Sequence, residues 1–238
     1  MKQNQLTQNQ HGSMFPIGEI TQRFLDHVKM HPGKVLDIGA AYGVTTVPAL
    51  EQGAEVTAVD LSAEQLATLT ANCPATKRPR LETLAGQFPD AFPVAERQRY
   101  YDTILASHVF HFYGPAAFAH AAQSIYQLLK PTGKLFVQCF TPYHTFMANM
   151  IPSFEQKQAA GDPWPGLTEA SNDFALIPNL LPPLVNLMSP EILQREFQQQ
   201  GFVIDHVGFT PCPPSLGKDT FVMDGREWVG LIAHKPGV

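Results

Sequence analysis

The chain has 238 residues, of which 44% are hydrophobic, and a formal net charge of -5 at pH 7. A chain of this size and composition buries a sizeable core, which excludes disorder of the whole chain. Lys and Arg are scattered rather than clustered, so no nucleic-acid partner is expected. The three cysteines, Cys73, Cys139 and Cys212, are far apart and lack metal-ligand spacing, which predicts reduced thiols in a cytoplasmic protein.

Neither the N-terminal residues nor the most apolar later stretch indicates a membrane segment. The first residues, MKQNQLTQNQHGSMF, are rich in amides and lack an apolar core, which predicts a loose arm rather than a signal peptide. The most apolar later stretch, ALIPNLLPPLVNLM, is too short and too interrupted by Pro and Asn to span a bilayer. No membrane association is therefore expected.

Apolar runs of strand length alternate with amphipathic segments of helix length along most of the chain. The predicted strands are, in order, KVLDI, EVTAVD, RLETLAG, YDTILAS, KLFVQCF, VIDHVGF and EWVGLIAHK. The predicted helices are GVTTVPALEQG, LSAEQLATLTAN with Ser62 as its N-cap, GPAAFAHAAQSIYQLLKPTG and SPEILQREFQQQGF. This alternation is typical of repeated βαβ units that form a parallel sheet.

Residues 141–188 break the alternation with many Pro and aromatic residues. An insertion of this length is usually a lid, a binding element or a linker, and its apolar content argues against disorder. The predicted organisation is an N-terminal arm and helix at 1–29, a ligand-binding half of the domain at 30–140, an inserted lid or substrate-binding segment at 141–188, and the end of the same domain at 189–238.

The stretch KVLDIGAAYGVTT lies where the first strand ends and a helix begins. Backbone N–H groups at such a helix N-terminus face ligands at the carboxyl ends of the strands. A dinucleotide pattern that starts at Gly39 needs Gly at positions 41 and 44, where the chain has Ala41 and Val44. An NAD-linked reductase is therefore disfavoured.

A different pattern fits the same loop, namely an acid followed by small residues at alternate positions: Asp37, Gly39, Ala41 and Gly43. It resembles motif I of the class I S-adenosylmethionine-dependent methyltransferases, with Ala41 where the family has Gly. The Ala41 methyl is acceptable if the backbone there keeps a negative φ. The alternative is an ordinary turn that needs Gly only for its bend.

Three later segments extend the resemblance. Asp60 ends the second strand, where a carboxylate accepts bonds from both ribose hydroxyls of an adenosine, and Leu61 lies beside it. The alternative for Asp60 is an acid favoured by the helix dipole. LAGQFPD resembles the segment that holds the adenine, with Gln87 where the family commonly has an acid, and with Phe88 offering a backbone N–H or its ring. YDTILASHVFHFY resembles motif IV, where the Ser107 backbone is expected to contact the methionine ammonium.

The resemblance covers about residues 30–140 and resumes at 189–238. It implies an α/β, Rossmann-like class I methyltransferase fold with a seven-stranded, mostly parallel sheet and helices on both faces. It also implies S-adenosyl-L-methionine as cofactor and S-adenosyl-L-homocysteine as product. Motif IV lacks the signatures of DNA-methylating enzymes and the acidic cluster of metal-dependent ones, so we expect a small-molecule acceptor and no catalytic metal. A catalytically silent S-adenosylmethionine-binding module is the alternative function.

Methyl transfer from a sulfonium is an in-line displacement that needs a base only when the acceptor must lose a proton. His111 is the first candidate base and His108 the second, with Tyr143 and His144 behind them, because imidazole titrates near neutrality. Simple packing is the competing interpretation of each histidine.

The apolar side chains of the insertion have two interpretations. They form a wall of the acceptor pocket, or they pack the insertion onto the sheet. They are Phe146, Met147, Met150, Phe154, Trp164, Phe174 and the Leu-rich residues 176–188.

Overall fold

The computed structural model describes residues 5–6, 13–169, 184–216 and 221–237. Seven strands form its main sheet: β1 (Lys34–Ile38), β2 (Glu55–Asp60), β3 (Leu81–Ala85), β4 (Tyr101–Ser107), β5 (Leu129–Phe140), β6 (Val203–Thr210) and β7 (Trp228–His234). The helices of four turns or fewer around it are α1 (Glu19–Met30), α2 (Thr46–Glu51), α3 (Ala63–Asn72), α4 (Pro115–Leu128), α5 (Ile151–Ala159) and α6 (Pro190–Gln199).

The strand order across the sheet is β3-β2-β1-β4-β5-β7-β6. Neighbouring strands are parallel except for the two pairs that involve β7, which are antiparallel. The chain builds outward from β1 in one direction and then from β4 in the other, so the loops after β1 and β4 diverge and leave a crevice between them. The predicted seven-stranded, mostly parallel sheet is confirmed.

Helices cover both faces of this sheet. Successive strand residues point to opposite sides, so each face presents side chains against which helices pack. On one face, Phe24 of α1 and Leu50 of α2 pack in a cluster with Val35 of β1. On the other face, Phe118 of α4 and Phe197 of α6 pack in a larger cluster. The crevice at the carboxyl edge is thus carried by a sheet that is fixed from both sides.

The predicted elements agree with the observed ones except at some ends. The first predicted helix begins at Thr46 rather than at Gly43, because Gly43 has a φ of +86°, which no right-handed helix contains. The strand predicted from Lys134 begins at Leu129, directly after α4. The Ser62 N-cap of α3 is confirmed, since its hydroxyl accepts the Gln65 N–H at 3.3 Å.

The described part of the insertion packs onto the end of the sheet. Its chain forms a short 3-10 helix at Thr145–Met150 and then α5, and Leu167–Glu169 pairs antiparallel with Leu184–Asn186. Phe146 and Met147 are buried in a cluster with Trp228 of β7, so packing onto the sheet is observed for these two residues. Phe174 and the rest of 170–183 lie outside the described residues, as does most of the N-terminal arm before residue 13.

Two further observations bear on the sequence expectations. The three cysteines are buried and free. Among the helices of the described residues, none has the length and apolar character needed to cross a membrane.

A buried carboxylate organises the loop before β7. The Oε1 atom of Glu227 accepts the backbone N–H groups of Met223, Asp224 and Gly225 at 2.7, 2.8 and 2.8 Å, and its Oε2 accepts that of Cys212 at 3.1 Å. Burial raises the pKa of Glu227, but the backbone N–H groups outweigh it and hold the pKa below its ordinary value. One side chain therefore fixes the segment that carries Phe221 to the carboxyl edge of the sheet.

We expect Glu227→Gln to lower the free energy of unfolding by about 3 kcal/mol, because an amide keeps one acceptor oxygen and turns an NH2 donor toward backbone donors. Because folding lowers the pKa of Glu227, the carboxylate stabilises the native state fully above its unfolded pKa. That contribution is lost as the pH falls through the folded pKa. Urea unfolding of both proteins at pH 7 and at about pH 3 should show the difference shrinking in acid.

Glu96→Gln is the matched control, because the Glu96 side chain is exposed and lies outside this loop. It should change the unfolding free energy little at either pH. An equal loss in the two variants would contradict the role given to Glu227.

Candidate active site

The loop after β1 needs glycine at two positions. Gly39 and Gly43 have φ values of +77° and +86°, which are penalised for residues with a Cβ. Space is also lacking: a Cβ on Gly39 would overlap Cγ2 of Val109, and one on Gly43 would lie 2.8 Å from Cγ of Leu69. The loop is therefore held close to both α3 and the segment after β4.

Ala41 lies between these glycines with a φ of +45°, so the negative φ that would make its methyl group acceptable is not adopted. Its N–H donates to Oδ2 of Asp60 at 2.9 Å. A charge-assisted bond of this kind offsets the cost of a left-handed alanine, which is about 1 kcal/mol. The family's usual Gly at this position fits the conformation directly.

Asp37 at the end of β1 is buried below the loop. Its Oδ2 atom accepts the hydroxyls of Thr45 and Thr46, each at 2.7 Å. Burial raises the pKa of Asp37 to about 6, against the effect of the two hydroxyls. The two threonines were not identified from the sequence, although their position at the start of α2, directly after the glycine loop, is a signal for such a contact.

Asp60 at the end of β2 has capacity for further donors. Its two oxygens accept one backbone N–H each, from Ala41 and from Ser62, both at 2.9 Å. Burial raises the pKa of Asp60, although both N–H groups lower it. Each carboxylate oxygen keeps a second lone pair, so two hydroxyl donors fit the same carboxylate.

Exposed side chains lie near Asp60. The Leu61 side chain is 66% exposed, which is unusual for leucine. The N–H of Gly86 donates to the backbone oxygen of Asp60 at 2.9 Å, and this bond brings the exposed Gln87 to the same edge. An apolar side chain and an amide thus border the carboxylate.

Phe88 differs from the expectation. Its ring is buried, with its centroid 5.6 Å from that of Phe92, and its backbone oxygen accepts the Tyr113 hydroxyl at 2.7 Å. The prediction that this ring offers a ligand surface is wrong, because the ring faces the core. Its backbone N–H remains the predicted contact.

The end of β4 completes the crevice. Ser107, His108 and Val109 are partly exposed, and Val109 faces Gly39 across the gap. His108 has a φ of +58°, and its backbone N–H donates to the oxygen of Gln138 at 2.7 Å. A left-handed non-glycine residue of this kind is uncommon and is often found at functional sites.

The histidines beyond this point are more buried than the sequence suggested. His111 and His144 are fully buried, and His108 is partly buried. Burial lowers the pKa of His108 to about 3 and of His144 to about 4, and lowers that of His111 well below its ordinary value. The expectation of titration near neutrality is wrong, and all three imidazoles are neutral at pH 7.

The two candidate bases differ in their hydrogen bonds. Nδ1 of His111 lies 3.5 Å from the N–H of Phe140, so its proton belongs on Nε2, which is buried without a partner. Nε2 of His108 lies 2.9 Å from the side-chain nitrogen of Gln138. Within the described part of the chain, no group of three or more His, Cys, Asp or Glu side chains is arranged to hold a metal ion.

The comparisons with known proteins agree with this geometry. The model of a family described as a methyltransferase domain matches residues 10–207, from the N-terminal arm into β6. The chain belongs to this methyltransferase family, and the class I methyltransferase assignment drawn from the sequence is confirmed. No curated protein sequence matches the chain.

Solved structures share the fold at low sequence identity. An S-adenosylmethionine-dependent methyltransferase from Mesorhizobium loti has a TM-score of 0.63 and 18% identity, over 92% of this chain and 99% of that one. A 1,6-didemethyltoxoflavin N1-methyltransferase from Burkholderia thailandensis, with S-adenosylhomocysteine bound, has a TM-score of 0.58 and 19% identity, over 92% and 79%. A glycopeptide N-methyltransferase complexed with S-adenosylmethionine has a TM-score of 0.58 and 20% identity, over 91% and 87%.

We expect Gly39→Val to abolish binding of S-adenosylhomocysteine, because the added side chain needs the space of Val109 and a disfavoured φ. Ala41→Gly should bind nearly normally and raise the free energy of unfolding by about 1 kcal/mol, since glycine adopts a positive φ without strain. Calorimetric titration and urea unfolding measure the two effects.

Gly161→Val is the control for backbone strain alone. Gly161 has a φ of +79°, but a Cβ there meets no atom within 4 Å. This variant should lose stability and keep its ligand affinity. Equal losses of affinity in all three variants would show that the loop register is wrong.

Proposed function

We propose that this methyltransferase transfers a methyl group from S-adenosyl-L-methionine to a small organic acceptor with hydrophobic or aromatic parts, in the cytoplasm. The observation that carries the proposal is the Asp60 carboxylate, which is fixed by Ala41 and Ser62 and keeps two free lone pairs at the crevice. The three cysteines of the chain are free and buried, which fits a reducing compartment such as the cytoplasm.

The residues at this edge fit each part of the proposed methyl donor. Asp60 holds the ribose hydroxyls, Leu61 covers one face of the adenine, and Gln87 with the Phe88 N–H reads the adenine edge. The loop from Gly39 to Gly43 brings backbone close to the donor.

The positive end of the donor lies between the loop and β4 in this proposal. The Ser107 backbone contacts the ammonium, and Asp37 below the loop supplies negative charge. The pKa of about 6 for Asp37 means that this carboxyl is mostly ionised at pH 7. When bound, the methyl donor supplies the electrophilic carbon, and the chain contributes alignment and exclusion of water.

The acceptor class is supported by the aromatic side chains near the end of β4. Two of the solved structures above are a 1,6-didemethyltoxoflavin N1-methyltransferase and a glycopeptide N-methyltransferase, so the fold serves both small and peptidic acceptors. In this chain, Phe15 of the N-terminal segment packs on Phe221, on Phe140 at the carboxyl end of β5 and on Trp228 at the amino end of β7. An aromatic lining of this kind favours a flat, apolar acceptor.

For an acceptor that loses a proton, we infer that His108 takes it and that His111 supports the wall. His108 lies next to Ser107, and when the Gln138 amide turns its oxygen toward Nε2–H, the Nδ1 atom of His108 is left as a proton acceptor, whereas Nδ1 of His111 is directed at a backbone donor. This reverses the order of the two bases expected from the sequence.

The direct test is turnover of methyl-labelled S-adenosylmethionine with a panel of hydroxylated and nitrogen-containing aromatic metabolites. Transfer of label to one class of acceptor supports the proposal. Tight binding of the donor with no transfer across the panel would favour the catalytically silent binding module instead.

We expect Asp60→Ala to weaken binding of S-adenosylhomocysteine by about 1–3 kcal/mol, because two hydroxyl donors lose a charged acceptor. Asp26→Ala is the control, since Asp26 is exposed on α1, outside the segments assigned to the methyl donor. Calorimetric titration measures both. An unchanged affinity in the Asp60 variant would remove this residue from the site.

We expect His108→Ala to lower the rate of methyl transfer to a hydroxyl acceptor by about 10²–10⁴-fold, with His111→Ala costing less. Because the pKa values of both imidazoles lie far below 6.5, both stay neutral between about pH 5 and pH 8, so neither adds an acid limb to the rate profile in that range. His120→Ala, at an exposed position on α4, should leave the rate unchanged.

Initial rates across the pH range, with S-adenosylhomocysteine affinity as a check on the fold, decide this. Near-normal rates in the His108 variant would mean that alignment alone drives the transfer. An acid limb near pH 6.5 that disappears in either variant would contradict the neutral state of these histidines.

A further inference from the structure

A phenylalanine from the N-terminal segment is enclosed by four rings at the carboxyl end of β5 and the amino end of β7. The Phe15 centroid lies 4.9 Å from that of His108, 5.1 Å from Phe140, 5.8 Å from Phe221 and 6.0 Å from Trp228. The last three rings meet it edge-on, at interplanar angles of 83°, 82° and 80°. We call these four surrounding rings the cage. The cage thus holds the flat ring of Phe15 by aromatic contacts.

Polar atoms at this cage have no hydrogen-bond partner. They are Nδ1 of His108, Nε1 of Trp228 and Oε1 of the neighbouring Gln138, all buried. A Cβ on Gly18 would lie 3.2 Å from Oε1 of Gln138, so this oxygen faces the N-terminal segment. Buried polar atoms are almost always paired, and a phenyl ring offers them neither donor nor acceptor. Phe15 therefore fills the cage in shape and leaves its polar atoms unsatisfied.

We propose that the cage is the acceptor subsite, that Phe15 occupies it when no acceptor is present, and that the acceptor is a neutral, planar heteroaromatic ring that carries a hydrogen-bond donor and a hydrogen-bond acceptor. This inference rests on the proposed function and names its substrate class. A lactam ring has both groups without net charge.

The side chains of Gln138 and His108 form a couple that offers the matching hydrogen-bonding groups. Their nitrogens lie 2.9 Å apart, and an amide nitrogen only donates, so Nε2 of His108 accepts and its proton is on Nδ1. The couple then presents Oε1 as an acceptor and Nδ1–H as a donor. Rotation of the amide by half a turn reverses both roles. In either orientation it offers one donor and one acceptor without net charge.

Charge near the cage also favours a neutral acceptor. His144, whose ring contacts Phe140 and Phe221 of the cage, interacts with the Glu227 carboxylate. A buried carboxylate beside the cage repels an anion. A carboxylate-bearing acceptor is therefore disfavoured at this subsite.

The cage borders the place where the methyl group would be presented. His108 stands between Ser107 and Val109, and Val109 is the residue that faces Gly39 of the cofactor loop. A ring seated in place of Phe15 would therefore lie against His108, one residue along the chain from the side chain that borders the loop after β1.

The test uses the whole chain, saturated with S-adenosylhomocysteine, and 2-quinolinone as the probe, a flat neutral lactam. Phe15→Ala should bind the probe about tenfold more tightly than the parent protein, because the competing occupant is gone. Phe15→Leu, which keeps apolar volume, should give a smaller gain in the same direction. Phe209→Ala, an exposed ring that packs on Tyr143, is the matched control and should bind as the parent does.

Polar recognition is tested in the Phe15→Ala background with Gln138→Leu. This change should weaken 2-quinolinone at least tenfold and leave naphthalene, which has the same shape without polar atoms, unaffected. Nitrogen-15 spectra of labelled histidine should show the His108 signals shifting when 2-quinolinone is added to the Gln138 protein and not to the Leu variant.

The proposal is overturned if neither Phe15 variant binds 2-quinolinone more tightly, or if Gln138→Leu weakens both probes equally. Titration with S-adenosylhomocysteine separates this result from failure of the proposed function. Normal donor binding with unchanged probe affinity removes the cage alone, whereas absence of donor binding in the parent protein removes the function on which it rests.

Discussion

The bond between the Ala41 N–H and the Asp60 carboxylate joins the two loops on which the site depends. Asp60 belongs to the end of β2, and Ala41 to the loop after β1, so one carboxylate fixes the second loop relative to the first. The bond also keeps Ala41 in a conformation that its side chain disfavours. Because Gly39 in the same loop packs against Val109, the position of the loop reaches the end of β4 as well. Parallel strands bring these carboxyl ends to one edge, and the carboxylate sets their spacing at that edge.

A second carboxylate fixes a loop in the same way on the other side of the crevice. Glu227 gathers four backbone N–H groups and so fixes the loop that carries Phe221. Its backbone oxygen also accepts the Thr141 hydroxyl at 3.0 Å, which ties the start of the insertion to the same point. Both carboxylates accept hydrogen bonds from backbone N–H groups. Such groups are numerous where strands end, because they have no partner in the sheet.

Local patterns were sufficient for the sheet, and they also gave the residues of the proposed cofactor half of the site. Strand and helix periodicity depends on neighbours within a few residues, and the residues from Asp37 to Asp60 belong to two adjacent βα units. The acidic and glycine positions there could therefore be identified from their spacing in the sequence. Conformational details did not follow so directly: the positive φ of Ala41 depends on a bond to a residue 19 positions away.

The acceptor half was less predictable for a physical reason. Phe15, His108, Gln138, Phe221 and Trp228 come from distant parts of the chain, and no local period relates them. Burial of the histidines depends on that assembly, so the low pKa values could not be read from motif IV. The inward turn of the Phe88 ring likewise depends on Phe92 and Tyr113.

The two halves of the site differ in how completely their polar groups are paired. In the cofactor half, Asp37 and Asp60 are each held by two hydrogen bonds, so their geometry is set before any ligand arrives. In the acceptor half, His108, Gln138 and Trp228 each keep a buried atom without a partner. A satisfied site gains affinity from preorganisation, while an unsatisfied one gains selectivity, because a ligand that lacks the matching atoms leaves the cost of those unpaired groups in place. This division suits a transferase whose donor is common to its family and whose acceptor is its own.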